Sequence, residues 1–112
     1  MNNKLKGAVG EQLAVNYLKK LGYKILETNF STKVGEIDII AQDKNYIVFI
    51  EVKNRTSLKY GRPSEAVNYI KQTKIKQVSQ IYLQKNNKLN SFCRFDVMEI
   101  LDNEINYIIN AF

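Results

Sequence analysis

The sequence predicts a β-sheet flanked by helices, of α/β or α+β class, in the order helix, three strands, helix, two strands. Three observations predict it. The stretches Gly35-Glu36-Ile37-Asp38-Ile39-Ile40-Ala41 and Tyr46-Ile47-Val48-Phe49-Ile50-Glu51-Val52-Lys53 are rich in Ile, Val, Phe and Tyr, with polar residues at one parity. Apolar residues recur at helical spacing in one segment before this pair and one after it. A third apolar stretch, Phe92 to Leu101, leads through Asp102-Asn103 into Ile105 to Ile109, the pattern of a second hairpin.

Taken in order, the first helix runs from about Asn3 to Gly22. Gly7, Gly10, Ala14, Tyr17, Leu18 and Leu21 share one sector, Lys19 and Lys20 close the last turn, and Gly22 stops it. Two glycines inside a helix weaken it, which makes sense where something packs closely. Tyr23 to Phe30 reads as a strand and Ser31 to Gly35 as a turn. The central hairpin turns on Gln42-Asp43-Lys44-Asn45, turn chemistry without a glycine. Asn54 to Pro63 is polar, basic and irregular; Arg55, Lys59 and Arg62 make it a candidate phosphate-contacting loop as well as an ordinary surface loop. Ser64 offers an N-cap, with Glu65 in the first turn, for a second helix reaching about Gln84. Its apolar sector holds Ala66, Val67, Ile70, Val78, Ile81 and Tyr82, and Lys71 and Lys74 fall within it. Those lysines either snorkel to the surface or reach over the sheet. In the fourth strand Arg94, Asp96 and Met98 share one face, and Phe95 and Val97 the other.

Composition narrows the chemistry. At 112 residues and 45% hydrophobic, the chain suits one compact domain, spanning 1–112. No apolar run approaches the ~20 residues of a membrane helix, and the N-terminus lacks a signal-peptide core, so the expected location is the cytoplasm. A single cysteine, Cys93, excludes an internal disulfide and a cysteine zinc cluster. With no histidine, Ser-His triads, Cys-His nucleophiles and histidine zinc hydrolases are excluded too. Hydrolysis here would rest on carboxylates, lysine and a hard metal. The net charge of +6 favours a polyanionic partner, most simply nucleic acid.

The central hairpin carries the candidate site. With a two-residue or four-residue loop, paired residue numbers sum to 89. Asp38 then stands opposite Glu51 and Glu36 opposite Lys53, all four on one face. Opposed carboxylates repel, so a chain that places them there is expected to bring a cation to them. Lys53 completes a cluster suited to metal-assisted phosphoryl chemistry. A solvated sheet edge also presents such trios; matching register on two strong strands raises this one above that background. On helix geometry alone, Glu11 reads as a surface residue.

Gly7-x-x-Gly10-Glu11, Gly35-Glu36-Ile37-Asp38-Ile39-Ile40-Ala41, Phe49-Ile50-Glu51-Val52-Lys53-x-Arg55, Gly61-x-Pro63-x-Glu65-Ala66-Val67, Lys71-Gln72-x-Lys74 and Arg94-Phe95-Asp96-Val97 together resemble the YraN family of small bacterial proteins. The resemblance runs from Lys6 to Phe112. That family is similar to archaeal Holliday junction resolvases and to the PD-(D/E)xK, restriction-endonuclease-like superfamily. The resemblance implies an α/β restriction-endonuclease-like core with a mixed central sheet, and an endonuclease acting on DNA, branched or junction DNA included. It implies Asp38 as first acid, Glu51 and Lys53 as the E-x-K pair, and Glu11 as the helix-one glutamate. Ile37 stands where the superfamily usually has proline. Asp38, Glu51 and the Val52 carbonyl would hold Mg²⁺ or Mn²⁺; Arg55, Lys59, Arg62, Lys71 and Lys74 would contact nucleic acid. Resolvase-like enzymes act as dimers, which makes a homodimer the expected form. The rival classes are a non-cutting nucleic-acid-binding module of the same fold and a protein–protein adaptor.

Overall fold

The computed structural model describes the backbone of residues 3–55 and 67–112, and the side chains of residues 9–54 and 67–112. The elements appear in the expected order: α1 (Asn3–Lys20), β1 (Lys24–Ser31), β2 (Glu36–Asp43), β3 (Tyr46–Arg55), α2 (Tyr69–Lys85), β4 (Phe92–Leu101) and β5 (Glu104–Ile108). The five strands form one mixed sheet in the order β1-β2-β3-β4-β5. Neighbours are antiparallel except β3 and β4, which run parallel with α2 in their connection. No described helix is long and apolar enough to cross a membrane.

Each helix covers one face. Ile37, Ile40, Ile47, Phe49 and Val97 pack with Ile75, Val78, Tyr82 and Leu83 of α2. Ile39, Ala41, Val48, Ile50, Met98 and Ile100 pack with Ala14 and Leu18 of α1. The central strand β3 is therefore apolar on both faces, as strands buried between two helical layers are.

The ends of the elements follow from short-range chemistry. Gly22, at φ 91°, ends α1. Tyr23 N–H donates to Leu18 C=O at 3.0 Å and Gly22 N–H to Lys19 C=O at 3.0 Å, the paired bonds of a Schellman cap. Asn87 takes the same left-handed role after α2 at φ 54°. The central hairpin closes on the two-residue loop Lys44-Asn45, with Lys44 at φ 56°, and Asp43 pairs with Tyr46. From there to Ile39 and Ile50 every pair sums to 89, as expected. Asp102 and Asn103, both with positive φ, make the second hairpin turn.

Three boundaries differ from expectation. The second helix begins at Tyr69 because Asn68 caps it: its Oδ1 accepts from Lys71 N–H at 2.9 Å. Ser64 lies outside the described residues, and Val67 is buried ahead of the helix, not within it. That shift turns Ile70 outward to 67% exposure, and Ile75 takes the inward position instead. Leu21 points to solvent at the Schellman turn. Asn54 and Arg55 still belong to β3, because the parallel ladder with β4 continues through Asn54↔Ile100 and Arg55↔Leu101.

Arg94 and Asp96 are a buried pair, but with more partners than a same-face pair has. Arg94 Nε lies 3.1 Å from both Asp96 oxygens; its Nη1 donates to Asp43 Oδ2 at 3.0 Å and its Nη2 to the Tyr23 hydroxyl at 2.7 Å. Tyr107 donates its phenol O–H to Asp96 Oδ2, and Asn110 N–H donates to Asp96 Oδ1 at 3.0 Å. Burial alone would lower the Arg94 pKa; hydrogen bonds to Asp96 and Asp43 outweigh it and raise it. Burial, then the bond to Asp96, raises that of Tyr107. This network ties β4 to the start of β1, the end of β2, and β5. It lies five residues along β2 from Asp38, roughly 16 Å away at strand spacing.

Candidate active site at a strand fork

The ladder between β2 and β3 stops at Ile39↔Ile50, one residue short of Asp38 and Glu51. Below that point the two strands part. Strict alternation breaks at Asp38: Ile37 packs on the α2 side and Ile39 on the α1 side, although two residues apart in one strand should share a face. Asp38 thus sits at the fork. It does not share a plain common face with Glu36, Glu51 and Lys53, which corrects the expectation from strand alternation. Its Oδ2 accepts from Val52 N–H at 2.8 Å. Had the register continued, Val52 would have faced Ile37; the carboxylate takes over that strand edge.

Burial and the neighbouring Glu51 carboxylate push the Asp38 pKa up to about 7, against the lowering effect of the Val52 N–H bond. Glu51 is itself buried, at 7% exposure. Its Oε1 lies 3.6 Å from Lys53 Nζ and 3.4 Å from Lys71 Nζ. Of the two readings open for Lys71, the structure shows the one in which it reaches over the sheet. The site is a half-buried Asp38 carboxylate near a buried Glu51 carboxylate, and Glu51 is flanked by two ammonium groups.

On the α1 side of the fork, a cleft of about 210 Å³ is lined by Glu11, Asn29, Asp38, Val52 and Asn54. The Asn29 amide Nδ2 lies 3.0 and 2.9 Å from the two Glu11 oxygens. Asn29 adopts φ 53° within β1, a conformation asparagine tolerates better than most residues. Gly10 lets the Asn54 amide approach α1, since a Cβ there would stand 2.5 Å from Asn54 Nδ2. The close packing expected at the helix glycines is therefore found at Gly10.

The fold brings Glu11, Asp38 and Val52 to one cleft, with Glu51, Lys53 and Lys71 beside it. Lys74 is exposed and outside this cluster. The Arg55 side chain, Lys59 and Arg62 lie outside the described residues. Sequence reasoning missed Asn29 and Asn54, whose amides line the cleft. It also missed Glu99, buried at 4% exposure, paired with Lys53 in the β3–β4 register and accepting from Asn106 Nδ2 at 2.6 Å. The available signal was an acid at the same parity as the core-facing Phe95 and Val97. Among the described residues, no group of three or more acidic or cysteine side chains converges as a cation cage. The oxygen donors at the cleft are the Asp38 and Glu11 carboxylates and the Val52 backbone, with the Glu51 carboxylate near enough to raise the Asp38 pKa. That set fits Mg²⁺, a hard cation that keeps several of its own waters.

The mixed five-stranded sheet, its two covering helices and the element order define an α/β domain, with a fork that joins Asp38 to the Glu51-Val52-Lys53 strand. Comparison with known proteins is more particular. The chain belongs to the uncharacterised protein family UPF0102, the YraN family, whose family model matches residues 10–100. It is 50% identical over 119 residues to a UPF0102 protein of Caldanaerobacter subterraneus subsp. tengcongensis, covering all of this chain and 98% of that protein. A UPF0102 protein of Clostridioides difficile is 52% identical over 114 residues, covering both chains completely. One of Clostridium botulinum is 55% identical over 105 residues, covering 93% of this chain and 85% of its own.

Proposed function

We propose that this chain is a cytoplasmic, metal-dependent endonuclease that hydrolyses phosphodiester bonds of nucleic acid, DNA and in particular branched DNA. The observation that carries the reading is the half-buried Asp38 carboxylate, its pKa pushed up to about 7 by burial and by the buried Glu51, with Lys53 Nζ 3.6 Å from Glu51. Two carboxylates close enough to repel and partly withdrawn from water destabilise a protein, and a pure binder of phosphate gains nothing from them. Asp38, Glu51 and the Val52 carbonyl would hold Mg²⁺ or Mn²⁺. When bound, the ion supplies phosphate-charge neutralisation and a bound water of lowered pKa. Lys53 is set to stabilise charge developing on the phosphoryl oxygens. Lys71 holds Glu51 in place and offers a second ammonium to the phosphate. Glu11, oriented by Asn29, is set to accept a hydrogen bond from water in the cleft.

The test is cleavage of a four-way junction, flap, single strand, duplex and structured RNA, with Mg²⁺ or Mn²⁺ and with EDTA. Metal-dependent cutting is expected, abolished in Asp38→Asn and lowered ~100-fold or more in Lys53→Ala. Wild-type-like cutting in both variants would sink the assignment. Tight binding without cutting would establish the non-cutting module, and neither would point to an adaptor.

Asn29→Gly examines Glu11 separately. Glycine accepts φ 53° freely but is more flexible when unfolded, and these effects, each about 1 kcal/mol, offset one another. The melting temperature should stay within a few degrees of wild type while cutting falls at least ~10-fold. Unchanged cutting would remove the Asn29–Glu11 contact from the mechanism.

A further inference from the structure

The helix α2 carries Lys71, Lys74, Lys76 and Lys85 and no acidic residue. Lys71 turns to Glu51, while a different stripe of the same helix borders a cleft of about 450 Å³. Tyr69, Gln72, Thr73, Lys76 and Gln80 form that stripe at helical spacing, and Phe95 of β4 lies beneath. Tyr69 is the most exposed large apolar side chain of the described residues, at 80%. Phe95 is held rigidly between Phe49 and Phe112, with both ring pairs stacked at 5.5 Å. Lys76 Nζ lies over the Phe95 ring, 5.8 Å from its centre.

These parts are those of a single-strand track: a free aromatic platform, a cation along the path, and amides with both donors and acceptors. The sign of the charge selects a polyanion. The amides and open ring suit bases better than they suit a run of acidic side chains. Location adds direction. Tyr69 begins the helical turn from which Lys71 reaches Glu51, so the track starts beside the candidate site. From Tyr69 to Gln80 it extends roughly 16 Å, the reach of a few nucleotides.

We propose that this cleft receives an unpaired segment of nucleic acid, with a base stacked on Tyr69, so that the substrate is one with a single-stranded arm beside the cut. The inference rests on the nuclease reading and names its substrate class.

The experiment is fluorescence anisotropy of the full chain in EDTA, with a labelled single-stranded DNA and a duplex of equal length. Tyr69→Ala should weaken single-strand binding ~10-fold and leave duplex binding within ~2-fold. Tyr69→Phe, which keeps the ring, should restore it. Lys76→Gln should lower the single-strand salt slope by about 0.7. Thermal melts of all three should match wild type. Duplex binding with no effect of Tyr69→Ala on the single strand overturns this inference and leaves the nuclease reading standing. Binding of poly-glutamate as tightly as single-stranded DNA also overturns it, in favour of an acidic protein partner. Failure to bind either nucleic acid overturns both readings.

Discussion

Asp38→Asn should stabilise the metal-free protein at pH 8 by about 2 kcal/mol, while cutting is lost. The Asp38 carboxyl, which ordinarily titrates at 3.8, is pushed up to about 7 in the fold. Between those values the folded state keeps a proton that the unfolded state has released. Stability from this group therefore falls as pH rises from about 4 to 7 and stays low above that. The full difference is on the order of 4 kcal/mol. Asparagine has no charge to desolvate, and its carbonyl still accepts the Val52 N–H bond; its half-buried amide gives back about half of the gain. The melting temperature should rise roughly 8 °C at pH 8 and hardly at all at pH 5. Adding Mg²⁺ or Mn²⁺ should raise the wild-type value and leave the variant unmoved. Thermal melts at both pH values, with and without the ion, read all of this. A variant that melts lower at pH 8 would mean that the Asp38 charge is already compensated in the fold.

Arg94→Met should be among the most damaging single substitutions, at roughly 3–5 kcal/mol. Asp96 is fully buried. Losing Arg94 leaves its carboxylate with the Tyr107 hydroxyl and the Asn110 N–H but no cation. Domains of this size hold only ~5–15 kcal/mol in total, so the variant would lose a large part of its stability. The double variant Arg94→Met, Asp96→Leu should recover part of the loss, because it leaves no fully buried unpaired charge; Asp43 keeps contact with water, while the Tyr107 hydroxyl and Asn110 N–H lose their acceptor. Urea unfolding of the two variants and wild type measures this. A double variant no better than the single one would show that the tyrosine and backbone partners dominate the network, with the ion pair secondary.

Local signals carried far in this chain, and tertiary ones did not. The central register was legible because a two-residue turn leaves one way to pair two apolar strands, and Asp43↔Tyr46 through Ile39↔Ile50 follow it. The end of α1 was legible because Gly22 suits a left-handed cap. The start of α2 was not, since Ser64 and Asn68 are both good caps and only packing chooses between them. The fork at Asp38 was invisible because alternation assumes an unbroken strand, and nothing in Ile37-Asp38-Ile39 marks where a ladder ends. Asn29 was hidden for a similar reason: a left-handed residue inside a strand leaves no sequence signal when it is not glycine. The Arg94–Asp96 pairing showed in the spacing, but Tyr23, Asp43 and Tyr107 come from distant parts of the chain that only the folded sheet brings near.

The parallel ladder of β3 and β4 has a consequence for how the protein is made. Tyr46 pairs with Phe92 and Arg55 with Leu101, so each partner is 46 positions further along (92 − 46; 101 − 55). On a ribosome, the first three strands can assemble by local hairpins long before β4 exists. Until then the strand bearing Glu51 and Lys53 is an open, apolar edge, the kind of template on which nascent chains aggregate. Closing it requires a long loop and the entropy that goes with it. Chains released early, before β4 emerges, should be captured by chaperones or precipitate, and the carboxylate pair should mature only in the last steps of synthesis.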